Sequence, residues 1–279
     1  MKLSEMKNEN KSSKNLSPLY VLERKINLKT LIIFTVVSAL LLFLVVAMFP
    51  LMEDALAQIK EMFKDNPEMQ QTIVEMMGAD NIGAYFVMQG GQIWGLVACI
   101  YAACLGCTLI CGNLKDGSYE MLYTQNVSRA QIIKHKFFRM LINLTIFNLT
   151  CGLVGLIAML IWGYGEFNVL NYFVYLLFVI IMTIQIGSLS FGLALLGKRK
   201  YTVFLSVVMA VAFYFLATLG IAGENFEFFN YLTPFAVAFN DVLNLGIGSI
   251  NYWSVGIWTV VPTVLVLLGL KSYKNSDLV

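Results

Sequence analysis

Three stretches carry residue types able to do chemistry. Gly192 to Lys198 reads GLALLGK, most of a phosphate-cradling loop. In such loops backbone amides hold the phosphates, the lysine reaches them, and the next Ser or Thr binds magnesium. Here Arg199 follows the lysine, so the magnesium ligand is missing. The segment also reads as the end of an apolar helix, not as a strand–loop–helix. No nucleotide site is expected in this chain. Cys104 and Cys107 form a C-x-x-C, the spacing of redox pairs and some metal sites. No acid or histidine stands near them. All five cysteines (Cys99, Cys104, Cys107, Cys111 and Cys151) lie in apolar runs, where cysteine acts as a small hydrophobe. His135 is the only histidine, which excludes two-histidine metal sites and H-E-x-x-H peptidases. The third stretch, NLKDGSYEMLYTQNVSRAQIIKHKFFRM, covers residues 113–140. It sets basic residues among apolar ones at helical intervals, between two very apolar runs.

The elements that must position these residues follow from composition. Of 279 residues, 58% are hydrophobic and 13% charged. Soluble domains hold about 45–50% and about 25%. An all-α polytopic membrane protein is expected. A span takes about 20 apolar residues. Six runs suffice: 31–50, 88–111, 138–162, 171–196, 201–222 and 252–270. Pro262 is expected to kink the last, which a membrane helix tolerates. The first run follows a long charged lead and exceeds the apolar core of a signal peptide, so it reads as a retained span. Residues 1–16 read as a disordered tail. Ser17 and Pro18 can open a short interfacial helix with Leu19, Leu22 and Ile26 on one face. Residues 17–270 then form the membrane domain and 271–279 a short C-terminal tail.

Charge sets the orientation. Seventeen of the 19 Lys and Arg fall in residues 1–30, 112–140, 197–200 and 271–279. The alternate loops hold only Lys60 and Lys64, against eleven acids. Basic loops stay inside. Six spans with both termini cytoplasmic, in the cell membrane, satisfy every loop. Of the outer segments, 51–80 reads as two short amphipathic helices (Met52, Leu56, Ile59, Phe63, then Met69, Ile73, Met76) broken at Asn66-Pro67. Residues 224–250 are too apolar for a solvated loop and too interrupted for a span, so a re-entrant helical pair before the last span is expected.

The runs hold almost no acids and, within those boundaries, no Lys or His. That counts against a proton- or cation-coupled transporter and against serine or metal intramembrane proteases. Gln92, Asn143, Asn148 and Gln185 are polar and lie within the runs. They are candidates for a substrate path. The commoner use of such groups is interhelical hydrogen bonding, worth about 0.6 kcal/mol on average. Gly91, Gly95, Ala98, Cys99, Ala102 and Gly106 let the second span pack closely.

The 113–140 stretch is long for a connection. Helix–helix links commonly need about 2–8 residues. A structured inside loop of mixed polarity points to a docking surface. Its residues resemble a pattern in the permease subunits of ABC type-2 exporters, G-T-x-E-x-L-L-x-T-P-V-S-R-x-Q-I-x-x-x-K. Gly117-Ser118-Tyr119-Glu120-Met121-Leu122, Thr124, Val127-Ser128-Arg129, Gln131-Ile132 and Lys136 match it. Ser118 stands for the usual Thr and Asn126 for the usual Pro. Tyr231-Leu232-Thr233-Pro234-Phe235 is similar to that family's Y-L-S-P-F before the last span. Tyr273 to Leu278 resembles its terminal F-x-x-R-D-L.

The resemblance implies a six-helix permease that works as a homodimer or with a sister permease. Separate cytoplasmic ABC ATPase subunits would hold ATP and magnesium, with no cofactor, metal or catalytic residue in this chain. Residues 113–136 would be a coupling helix. Gly117, Glu120, Leu122, Val127, Arg129, Ile132 and Lys136 would meet the ATPase, with Glu120 and Arg129 facing it. Arg129 or Lys136 facing lipid headgroups is the alternative. The lipid bilayer is the other partner, and no nucleic acid is expected. A short Met-rich outer loop favours an amphipathic peptide or antibiotic as the exported substrate. The competing readings are a membrane scaffold or immunity protein, and a membrane-embedded enzyme using 224–250.

Overall fold

A bilayer offers no hydrogen-bond partner to a backbone amide, so each span must satisfy its own. A computed structural model of the chain follows that rule. It describes residues 27–64, 66, 69, 81–115, 129–163, 167–197, 201–221, 224–235 and 242–275, and among these no strand occurs.

Helix α1 (27–47) breaks at Met48, and Pro50 sits in the first turn of α2 (Phe49–Met62). Proline suits a helix start because its missing N–H is not needed there. α2 covers most of the first short amphipathic helix expected within 51–80. The second lies outside the described residues. Asn81 caps α3 (Ile82–Tyr85), its Oδ1 accepting from the Ala84 amide at 2.8 Å. A π-helical turn (Phe86–Gly91) leads into α4 (Gln92–Lys115). Then follow α5 (Arg129–Trp162), α6 (Val169–Gly197) and α7 (Thr202–Ile221). A 3-10 segment (Glu224–Leu232), α8 (Val242–Leu245) and a second 3-10 turn (Gly246–Ser249) precede α9 (Tyr252–Asn275).

Six helical stretches are long and apolar enough to span: Asn27–Met52, Ile82–Gly112, Ala130–Trp162, Val169–Gly197, Thr202–Gly220 and Tyr252–Ser272. Their number and order are those read from hydropathy. The third begins at Ala130 instead of 138, so Lys134, Lys136 and Arg139 all belong to it. Charge lowers hydropathy without breaking a helix, and these residues are good helix formers. His135 falls in the same stretch, so the reading that no Lys or His lies in a span is corrected accordingly. α9 remains one helix through Pro262.

α6 is the centre of the bundle. It packs most extensively on α4 and α9, and also on α5, α7 and α8. The second span is the most enclosed, with 67% of its apolar window buried. The first, fifth and sixth are 22% buried and so turn most of their surface away from the bundle. The closest crossing is between backbones. A Cβ at Gly106 on α4 would run into the Gly187 carbonyl on α6. α6 meets α9 the same way at Gly192, where a Cβ would lie 3.1 Å from the Leu265 carbonyl carbon. Small residues allow such approaches where lipid supplies no hydrophobic drive.

The segment 224–250 is built of short pieces, and residues 236–241 lie outside the description. Its YLTPF motif turns out to be a latch. Thr233 Oγ1 donates to the Phe213 carbonyl (2.9 Å) and accepts from the Phe235 amide (3.1 Å). Ser254 Oγ donates to the Thr233 carbonyl (3.2 Å), and Trp258 Nε1 to that of Tyr231 (3.2 Å). Irregular backbone is thereby covered by α7 and α9.

Candidate functional site

The candidate coupling face starts where α4 ends and α5 begins. Gly117, Glu120, Leu122 and Val127 lie outside the described residues, and Arg129 opens α5. Along α5, Ile132, Ile133, Lys136, Arg139 and Met140 are all buried, each less than 9% exposed. Steps of three and four put them on one inward face. Lys134, His135 and Phe138 are exposed.

Lys136 is the notable member. Its Nζ donates to the Leu109 carbonyl at 2.5 Å, across from α5 to α4. A carbonyl already used in a helix keeps a second lone pair for such a donor. A charge-assisted bond of this kind is about twice as strong as a neutral one. It ties together the two helices that flank residues 116–128. Of the matched pattern, the structure therefore buries Ile132 and sets Lys136 between α5 and α4.

The four polar span residues are not gathered into one path. Asn148 Nδ2 donates to Thr183 Oγ1 (2.8 Å) and to the Leu144 carbonyl (2.9 Å), joining α5 to α6. Gln185 Nε2 donates to Thr259 Oγ1 (2.9 Å) and the Val255 carbonyl (3.1 Å), joining α6 to α9. Thr183 and Gln185 are two residues apart, about 200° around a helix of 3.6 residues per turn, so they serve opposite sides of α6. Gln92 only approaches the Met88 sulfur of its own helix, at 3.8 Å. Asn143 is buried (1% exposed), and its Nδ2 has no partner among the described residues.

The C-x-x-C also resolves into packing. Cys107 Sγ lies 3.0 Å from Ser206 Oγ and 3.3 Å from the Ser190 carbonyl, so it links α4, α6 and α7. None of the five cysteines is in a disulfide. No group of acid, histidine and cysteine side chains able to hold a metal occurs among the described residues.

Sequence reading missed the receiving partners Thr183, Thr259, Ser206 and the Leu109 carbonyl. A lone Thr or Ser inside an apolar run carries no signal, since it can bond its own helix. A carbonyl carries none at all.

These elements define a multi-pass, all-helical membrane protein. The family model described as "ABC-2 family transporter protein" matches residues 23–278, and the chain belongs to that family as a transporter membrane component. No curated protein and no solved structure matches it.

Proposed function

We propose that the chain is the membrane subunit of an ATP-driven exporter, working as a dimer with itself or a sister permease. The observation that carries this reading is the family match over nearly the whole length. Separate ATPase subunits bind ATP and magnesium and dock on the cytoplasmic side, where the termini and the basic loops lie. Residues 113–136 receive their closure, with Glu120 and Arg129 at the contact and Gly117, Leu122 and Val127 shaping it. The Lys136–Leu109 bond supports this role. A push on residues 116–128 is then shared by α4 and α5, and α6 is packed on both. The substrate is an amphipathic peptide or antibiotic.

The test is co-purification from native membranes in mild detergent, with ATPase activity assayed on the eluate. The expected result is a co-purifying P-loop ATPase that is lost when Glu120 and Arg129 are reversed in charge. A clean chain with no ATPase, under conditions that preserve a control ABC complex, would refute it. The substrate class is tested by tolerance assays in a deletion strain. Unchanged sensitivity to every membrane-active peptide would sink it.

A further inference from the structure

A continuous apolar groove runs between α5 and α9, with α6 as its floor. One cavity of about 330 Å³ is lined by Ile133, Phe137, Phe191, Val266 and Leu267, among others. A second, of about 300 Å³, shares Ile133, Lys134 and Leu270 with it and adds Ala130 and Lys271. From Thr263 to Lys271 the groove follows α9 for nine residues, a rise of about 12 Å at 1.5 Å per step. That is close to the hydrocarbon depth of one leaflet, about 15 Å.

Its two ends differ in chemistry. The deep end is mainly aliphatic and aromatic, with the hydroxyl residues Ser188 and Thr263 also in its lining, and Leu267 on its lip is 60% exposed. The shallow end carries Lys134 near the start of the third span and Lys271 near the end of the sixth. No acid lines either cavity among the described residues. Two lysines on one rim, above an apolar slot of leaflet depth, complement one amphiphile: a negative head with a hydrocarbon tail. Both lysines stand at the end of the bundle that the charge distribution puts at the cytoplasmic leaflet, where anionic lipids concentrate.

We propose that this groove is a binding site for an anionic glycerophospholipid. The phosphate lies between Lys134 and Lys271, and one acyl chain runs along Phe137 and Leu267. The groove shares Ala130, Ile133 and Lys134 with the proposed coupling segment, but its lipid binding is read on the chain alone and does not depend on an ATPase.

The test is native mass spectrometry of the full chain in detergent, titrated with phosphatidylglycerol and with phosphatidylcholine of identical tails. The expected result is one tightly held phosphatidylglycerol, preferred over phosphatidylcholine. A Lys134→Gln/Lys271→Gln double variant is expected to lose roughly thirtyfold in phosphatidylglycerol affinity, from about 1 kcal/mol per charge near the surface. The Lys134→Arg/Lys271→Arg variant keeps the charge and is expected to keep the preference. Leu267→Trp fills the slot and is expected to lower binding of both lipids. Equal binding of the two lipids by the native chain would overturn the proposal, as would a preference that survives the double glutamine variant. A broad ladder of adducts with no distinct first step would mean a lipid belt only, and would also overturn it. So would cross-linking of a Leu267→Cys variant to a second copy in native membranes, since the groove would then be a protein interface.

Discussion

Replacing Gly106 with alanine tests the central crossing of the bundle most directly. The new Cβ would overlap the Gly187 carbonyl oxygen and lie 3.1 Å from the Phe191 amide nitrogen and 3.2 Å from Ser190 Cβ. Two of these three neighbours are backbone atoms of a buried helix, which cannot rotate away. Restoring ordinary contact, at about 3.5 Å or more, requires α4 and α6 to separate by roughly an ångström. A gap of that size forfeits about a quarter to a half of each contact's attraction. Added atoms in a packed core typically destabilise by about 1–3 kcal/mol. For a chain of this size that corresponds to a fall in apparent Tm of about 4–8 °C for a 2 kcal/mol loss. The assay is tryptophan-fluorescence melting in detergent. Gly187→Ala should fall less, because its Cβ meets the mobile end of Leu144 at 2.8 Å. Gly256→Ala is the control, with nothing within 4 Å. If Gly106→Ala melts with Gly256→Ala, the two helices do not meet backbone to backbone and the reasoning fails.

Other outcomes follow from the same geometry. Thr183→Val removes the acceptor of Asn148, and a double-mutant cycle of Thr183→Val with Asn148→Leu should give a coupling of about 0.6–1.7 kcal/mol in thermal stability. A value of zero would mean the bond adds nothing beyond packing. Gln185→Leu with Thr259→Val should couple similarly, and Gln185→Leu should couple to neither Asn148→Leu nor Thr183→Val, because it bonds on the other side of α6. Cys99, Cys107 and Cys151 are each 0% exposed, so a thiol reagent should modify them only after denaturation, while the part-exposed Cys104 reacts sooner. Rapid labelling of Cys107 in the folded protein would contradict its place between α4, α6 and α7.

Particular residues show how far the sequence could be read. The YLTPF residues were recognisable by order and spacing, yet their use as a latch on α7 and α9 was not, because the acceptors are carbonyls and look the same at every position. Lys136 was legible as a basic residue beside a span. Its burial was not, because hydropathy averages over a window and cannot see which face of a helix a charge occupies. Asn148 and Gln185 were legible as polar span residues, but only the packing of α6 between α5 and α9 assigns them to opposite sides.

The sequence by itself determined the six spans, their order and the charge asymmetry across them. The physical reason is local: each apolar run must satisfy its own backbone hydrogen bonds in lipid, and each basic loop resists crossing. Only the tertiary structure decided which helices meet, at Gly106 and Gly187, at Asn148 and Thr183, and at Lys136 and Leu109. A membrane helix is apolar toward lipid and toward its neighbours alike, so its sequence carries little periodic mark of which face is which. That choice comes from close backbone approach and from a few hydrogen bonds, and neither exists until the helices are side by side.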